Sequence, residues 1–295
     1  MMNSYIFNQI CIGQFGNIEA RKALFLALGI LSNNVKCPQC NNQFTIHVDK
    51  SKTIGLRYWC KSCSKHYAVR GFTPFSAMRL DICDILQIIA LFTVNTSVTE
   101  ICEKVRRSST TVDKVLVLVR TSLQKYMDEN TTTLGYENAV EIDETLIAKK
   151  RKYNRGREVN PQWLFGAIER EGGKLFLKTV DHRDSNTLGR LIIDHIHENA
   201  TVYSDEWAAY LKFFSEAASY NHHTVNHSTH FINPENSDVH TQTIEGLWMH
   251  LKRWLKTKNY SRRSRLELYL AEFLFRRNNN KLEFYELFML IIKYL

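Results

Sequence analysis

Residues 139–147 read AVEIDETLI. Val140, Ile142 and Leu146 alternate with Glu141, Asp143 and Thr145, the period of two that marks a β-strand. An acid inside a buried strand is costly unless it is paired or holds a cation, so Asp143 marks a place where chemistry is expected. Outward from this strand the pattern is mixed. Residues 162–169 and 174–180 read as a hairpin turning at Glu171-Gly172-Gly173. Residues 185–197 read as a helix, 201–204 as a strand, 206–214 as a helix and 223–226 as a strand. Long helices are expected over 239–256 and 263–277, which gives an α/β domain on a mixed sheet.

Two further acids stand at positions that such a sheet can bring to Asp143. Asp205 directly follows the 201–204 strand in VYSDEW, and Glu245 opens the helix HTQTIEGLWMHLKRWLK. Three carboxylates at one sheet edge are able to hold two divalent cations for phosphoryl transfer. Glu141, Glu144 and Glu206 compete for this role, as do Glu235 and Asp238 with Glu245, and strand-end capping is the plainer reading of Asp143 and Asp205. Lys252 lies seven residues after Glu245, nearly two helical turns, on the same helix face. From Lys252 to Arg265, seven of fourteen residues are basic and none is acidic; Arg253, Lys256, Lys258, Arg262 and Arg263 are expected to track a nucleic-acid backbone.

Upstream, residues 130–138 form a polar linker. Apolar periodicity predicts helices over 80–93, 98–105 and 110–127, the last two joined by Arg106-Arg107-Ser108-Ser109, with Thr96-Ser97 and Ser109-Thr110 as N-cap candidates. A short helix, a tight basic turn and a longer helix fit a helix-turn-helix in which Arg106 and Arg107 meet DNA, the alternative being an ordinary helical bundle. Further upstream stands Cys37-x2-Cys40-x19-Cys60-x2-Cys63, with short strands expected over 43–48 and 55–59. Paired knuckles on hairpins predict a zinc ribbon holding one structural zinc, since four thiolates leave no open coordination position; a redox pair is the lesser reading. Residues 18–31 read as a further helix.

Composition narrows the class. The 295 residues include only 12 Gly and 4 Pro, with 44% hydrophobic side chains, which excludes collagen-like and low-complexity chains. No apolar stretch is long and uncharged enough to span a bilayer, and MMNSYIFNQI lacks the order of a signal peptide. A soluble, non-secreted protein is expected, nuclear in a eukaryotic host and otherwise cytoplasmic, with no membrane partner. The net charge of +9 is divided as +7 over residues 1–136, −5 over 137–248 and +7 over 249–295. Basic ends around an acidic middle suggest a polyanion partner and a cation-holding site.

Taken in order, the cysteine knuckles, the helical segment and VEIDET, WLFGAIER, VYSDEWAAYL, HHTVNHSTHF and HTQTIEGLWMHLKRWLK resemble the Merlin-type DDE transposases and their bacterial insertion-sequence relatives, over residues 35–280. The resemblance implies an RNase H-like catalytic domain at 136–285, preceded by an N-terminal helical segment (1–32), the zinc ribbon (33–74) and the helix-turn-helix module (76–129). It implies Asp143, Asp205 and Glu245 as the triad holding two Mg²⁺ or Mn²⁺ ions, and Lys252 as the lysine beyond the third acid. The implied reaction cuts double-stranded DNA at terminal inverted repeats and joins the freed 3′-hydroxyl to target DNA, in a dimer or larger assembly. The chain departs from the family at LIAKK after VEIDET, and HRDSNTL fits loosely. A transposase-derived regulator without catalysis, and a general RNase H-like nuclease, are the rival readings. In the loop after VEIDET, Lys150, Arg151 and Lys152 read as DNA contacts or as a nuclear signal. His222, His223, His227, His230 and His240 read as residues near the acids more readily than as a metal site. Trp163, Trp207, Trp248 and Trp254 read as packing residues.

Overall fold

The computed structural model describes residues 2–51, 54–131, 133–147, 162–225, 240–258 and 265–295. Two compact units emerge, one of residues 1–126 with 279–295, the other of residues 127–278.

In the first unit, α1 (Ser4–Cys11) and α2 (Ile18–Ala27) are each capped by an asparagine, Asn3 and Asn17, whose side-chain oxygens accept from Ile6 N and Ala20 N. The single helix expected over 18–31 stops at Ala27, and the chain turns through Gly29 at φ 70°. Strands β1 (Thr45–Val48), β2 (Leu56–Cys60) and β3 (Lys65–Ala68) form an antiparallel sheet in that order. β3 was missed because KHYA exposes most of its side chains and carries no apolar alternation. Phe44, Tyr58, Tyr67 and Phe72 pack their rings together behind this sheet.

Helices α3 (Ile82–Thr93), α4 (Val98–Val105) and α5 (Ser109–Glu129) follow. α3 is apolar nearly all round, and Ile82, Ile85, Leu86, Ile88 and Ile89 are all inaccessible to solvent, as expected of a central helix. α4 begins at the predicted cap Ser97 and ends where Arg106 adopts the left-handed conformation (φ 55°, ψ 45°). α5 is capped one residue earlier than expected, by the Ser108 hydroxyl accepting from Thr111 N. α10 (Phe284–Tyr294) closes this unit: Phe288 meets Phe7 of α1 with ring centroids 5.5 Å apart, and Tyr294 meets Tyr126 of α5 at 4.9 Å. Residues 279–285, read from the sequence as the end of the catalytic domain, therefore lie in the first unit.

The second unit is a five-stranded mixed sheet. Its strands are β4 (Val140–Ile147), β5 (Gln162–Glu169), β6 (Leu175–Val180), β7 (Thr201–Asp205) and β8 (Asn221–Val225), in the order β6-β5-β4-β7-β8. β4, β5 and β6 run antiparallel, whereas β7 runs parallel to β4 and β8 parallel to β7. Parallel neighbours need crossovers, which α6 (Ser185–His195) and α7 (Ala208–Glu216) supply. Both pack on one face, where Leu188, Ile192, Tyr210 and Phe214 join Val140, Ile142, Phe165, Ala167 and Val202 in a core. On the other face α8 (Gln242–Thr257) and α9 (Leu266–Asn278) lay Ile244, Leu247, Trp248, Leu251, Leu266, Leu270 and Phe273 over Leu164, Ile168, Leu175 and Leu177.

α8 is joined to α9 by charge as well as by apolar contact. Glu272 is fully buried, and its Oε1 receives Lys258 Nζ at 3.1 Å and Arg276 Nε at 3.0 Å. Removing one member of a buried ionic cluster leaves the remaining charges uncompensated. Glu272→Ala is therefore expected to destabilise the second unit by roughly 3 kcal/mol, read as an earlier midpoint in denaturant unfolding; an unchanged midpoint would refute this role.

Candidate functional site

The acidic strand β4 places its charges on both faces. Glu141 and Asp143 point towards α8, whereas Glu144 points towards α6 and α7. Val140 pairs with Val202 and Glu141 with Tyr203 on parallel β7. That pairing stops there, two residues before Asp143 on β4 and two before Asp205, the last residue of β7. Asp205 is half-buried, and its Oδ1 accepts from Trp207 N at 3.0 Å, fixing the turn that leaves the strand.

α8 brings the third acid. Trp248 Nε1 donates to Asp143 Oδ2 at 2.8 Å. Its ring lies over Gly166, the cross-strand partner of Asp143; a Cβ at Gly166 would stand 2.3 Å from Trp248 Cη2, so only glycine admits the indole here. Glu245 is one turn before Trp248 and Lys252 one turn after, so the three form a stripe along the helix, with Glu245 and Lys252 exposed. The structure thus ties Asp143, through Trp248, to the helix that carries Glu245 and Lys252. It does not gather the three carboxylates to metal-ligand spacing. Among the described residues, the only group of three or more His, Cys, Asp or Glu with ligand atoms all within 4.8 Å of one another is that of the four cysteines.

Glu141, weighed from the sequence only as a rival, has a different task. Its carboxylate is fully buried; Oε2 accepts from Ile244 N at 2.9 Å, and Oε1 from Thr243 Oγ1 at 2.9 Å and Arg170 Nε at 2.8 Å. Two of these donors belong to the first turn of α8, where backbone N–H groups lack helical partners and the helix dipole favours a negative charge. Arg170 also donates to His240 O and lies 3.8 Å above the Tyr203 ring. Glu141 therefore docks the start of the helix that carries Glu245. The available signal was its spacing of two from Asp143, which puts both on one strand face.

On the opposite face Glu144 accepts a hydrogen bond from the Tyr210 hydroxyl, and Arg183 Nη1 approaches at 3.8 Å. Burial, with the charges of Asp143 and Asp205, pushes the Glu144 carboxyl up to about 7, against the Tyr210 hydrogen bond and the Arg183 charge, which lower it. Three acids thus share one electrostatic neighbourhood. Arg183 is held between Trp163 and Trp207, at 3.6 and 4.7 Å from their ring centroids.

The four cysteines gather as their spacing predicts. Sγ–Sγ distances are 3.6 Å for Cys37–Cys63, 3.4 Å for Cys40–Cys60, 3.5 Å for Cys60–Cys63 and 3.0 Å for Cys40–Cys63. A tetrahedral site with metal–sulfur bonds of about 2.3 Å places its sulfurs about 3.8 Å apart, so the set is of a size to hold zinc. Each knuckle is followed by a left-handed residue, Asn41 at φ 59° and Ser64 at φ 54°, which turns the chain back after the second thiol.

The basic residues divide. Arg106, Arg253 and Lys256 are exposed. Arg107 is also exposed but gives its Nε and Nη2 to Asp84 Oδ2 at 2.9 and 2.7 Å, tying the turn to α3. Lys258 is corrected from a DNA contact to a structural cation, because its ammonium pairs with buried Glu272. Lys150, Arg151, Lys152, Arg262 and Arg263 lie outside the described residues, as do His227 and His230. His223 stacks on Tyr203, and His240 Nδ1 is 3.3 Å from Glu141 Oε1. Of the tryptophans, Trp248 and Trp254 pack against the core as expected, whereas Trp207 is 40% exposed.

Two outcomes follow from these contacts. Glu141→Ala strands the Arg170 guanidinium and the α8 N-terminus, with an expected loss of about 3–5 kcal/mol; Glu141→Gln, which keeps the acceptor oxygen, is expected to lose less. Denaturant unfolding of both variants tests the order. His222, stacked on Phe214 and hydrogen-bonded to Ser204 Oγ at 2.8 Å, is lowered to about 4 by burial and then by neighbouring His223. The neutral ring is favoured in the fold, so its contribution is fully present above pH 6.5 and is lost as pH falls from 6.5 towards 4. Unfolding midpoints measured across that window should fall, and His222→Gln should flatten the slope; an unaltered slope would exclude His222 as its source.

Comparison with known proteins adds the following. No curated protein is similar enough to this chain to serve as a relative. Among solved structures, the mariner Mos1 paired end complex with Mg matches at 10% identity and a TM-score of 0.32, covering 100% of this chain and 96% of that one. A pre-cleavage Mos1 transpososome matches at 12% and 0.25, covering 99% and 98%. An intasome of simian T-cell lymphotropic virus in complex with PP2A regulatory subunit B56 gamma matches at 13% and 0.31, covering 64% and 67%. Likeness at these scores carries no argument. The sequence match is of a different kind: residues 135–278, the segment that holds VEIDET, SDEW and HTQTIEG, match the ISXO2-like transposase domain, which supports a DDE-type transposase of the insertion-sequence group.

Proposed function

We propose that this chain is a DNA transposase that binds the terminal inverted repeats of its element, cuts there and joins the freed 3′-hydroxyl to target DNA. The observation that carries the reading is the position of Asp143 and Asp205, each two residues beyond the last parallel pair of β4 with β7, beside a helix whose Trp248 donates to Asp143 and whose Glu245 lies one turn away. The strand order β6-β5-β4-β7-β8, with three antiparallel strands followed by two parallel ones, is the arrangement expected of an RNase H-like domain.

In this reading Asp143 and Asp205 hold Mg²⁺ or Mn²⁺ ions and Glu245 completes the set. Such cations, when bound, activate the attacking oxygen and offset charge on the leaving one. Lys252, exposed on the same stripe, holds a phosphate of the strand being cut, and Arg253 and Lys256 continue the contact along the backbone. Glu141 positions Glu245 and does not itself meet DNA. The cysteine set holds a structural zinc ion, and α4, the Arg106–Ser108 turn and α5 act as a helix-turn-helix. Pairing two element ends requires at least a dimer on DNA.

The test is cleavage and strand transfer on DNA carrying the gene's own flanking sequence, with Mg²⁺, for the wild type, Asp143→Ala, Asp205→Ala and Glu245→Ala. Joined products from the wild type alone, with end binding kept by all four proteins, are the expected result. Binding without cutting by the wild type, in Mn²⁺ as well as Mg²⁺, would replace this reading with that of a transposase-derived regulator.

A further inference from the structure

Beside the cysteine cluster the first unit contains a cleft of about 660 Å³ whose wall includes Arg57, Arg70, Arg79 and Arg107, with Asp49 and Asp81 as the acids among the described residues. Both acids are already engaged. Asp49 accepts from Ser51 N and Ser51 Oγ and lies 3.4 Å from Arg57 Nη1, while Asp81 caps α3 through Cys83 N. Three of the four guanidinium groups are engaged within the fold at least in part, Arg57 by Asp49, Arg107 by Asp84 and Arg70 by backbone carbonyls. Arg57 Nε is buried without a hydrogen-bond partner, a costly state for a charged donor. Arg79 is exposed and makes no ion pair with a described residue. Arg70 is committed to the carbonyl oxygens of Met78 and Leu80, and so holds the segment between the ribbon and α3 that forms the floor.

The cleft opens beside the outer face of the sheet, where Arg57 supplies the charge. The register sets Thr45, Trp59 and His66 side by side, and next to them His47, Arg57 and Ala68, all on the side away from the buried Leu56, Tyr58 and Cys60. The His66 ring stands 4.2 Å from that of Trp59 and the His47 ring 5.9 Å from it, both tilted. An arginine-lined cleft recognises phosphate charge without reading the bases.

We propose that this cleft and the adjoining sheet face are a binding site for the sugar–phosphate backbone of duplex DNA, with Arg57 and Arg79 as the phosphate donors. The site is sequence-independent and anchors the first unit, leaving base readout to other elements. Arg107, tied to Asp84, forms part of the wall and sets the cleft's shape. The inference rests on the reading that DNA is the partner, though not on the chain's ability to cut it.

The experiment is a fluorescence-anisotropy titration of the full-length, zinc-loaded protein across a salt series. The probes are a duplex bearing the gene's flanking ends, a scrambled duplex and a single strand. Arg79→Gln is expected to weaken both duplexes by the same factor and to reduce the slope of log affinity against log salt by about 0.9, the loss of one phosphate contact. Arg57→Gln should do the same, with wild-type zinc content confirming that the ribbon is intact. An unchanged slope and affinity in Arg79→Gln would overturn the proposal. So would a loss confined to the flanking-end duplex, which would indicate base readout, or equal Arg79-dependent binding of the single strand. Cutting is scored separately. A wild type that cuts while Arg79→Gln leaves the slope unchanged removes this inference alone; a wild type that shows the Arg79-dependent slope but never cuts removes the catalytic reading alone.

Discussion

The second unit depends on a buried carboxylate that fixes where a helix docks. Glu141 sits in the middle strand of the sheet without solvent access, and such a charge is tolerable only when it is paired and hydrogen-bonded. Arg170, Thr243 and the backbone of Ile244 supply those partners. Two of these donors belong to α8, so satisfying the charge docks the helix in one position. From that position Trp248 reaches Asp143 across Gly166, and Glu245 and Lys252 fall on the exposed stripe that borders the sheet's end. The geometry of the acid site is thus a consequence of neutralising a neighbouring acid.

The same strand carries a second acidic balance on its other face. Glu144 is held near neutral pH by burial and by the charges of Asp143 and Asp205. Tyr210 donates to it, and Arg183, stacked between two tryptophans, stands close by. Three carboxylates this close repel one another, and that repulsion is relieved by protonation or by cations.

The first unit meets a different constraint. A three-stranded sheet with mostly exposed outer strands cannot bury enough surface to hold itself together. The cysteine knuckles and a cluster of four aromatic rings stand where a larger core would be. The helices beside it are organised by α3, whose apolar surface is covered in part by α1 and by α10, a helix from the far end of the chain.

Much of this was legible in the sequence, wherever the signal was local. Alternation over 139–147, the hairpin that follows, the cysteine spacing and the seven-residue step from Glu245 to Lys252 each follow from the period of a strand, a knuckle or a helix. Element ends moved by only a few residues, and Asp143 and Asp205 stood out because a strand and a strand end are costly places for an acid. What the sequence left open were properties of pairs distant along the chain. The partner of Lys258 could not be read, since Glu272 becomes its ion pair only when α8 lies against α9. Nor could the role of Glu141 be separated from that of Asp143, because both are acids on one strand face and only the approach of α8 shows that Glu141 meets the first turn of the helix and Asp143 meets Trp248. Local periodicity determined which elements form and which acids are conspicuous. Tertiary packing decided which charges are consumed in holding the fold and which remain at the surface to meet a ligand, because burying a charge depends on partners that the chain supplies only by folding.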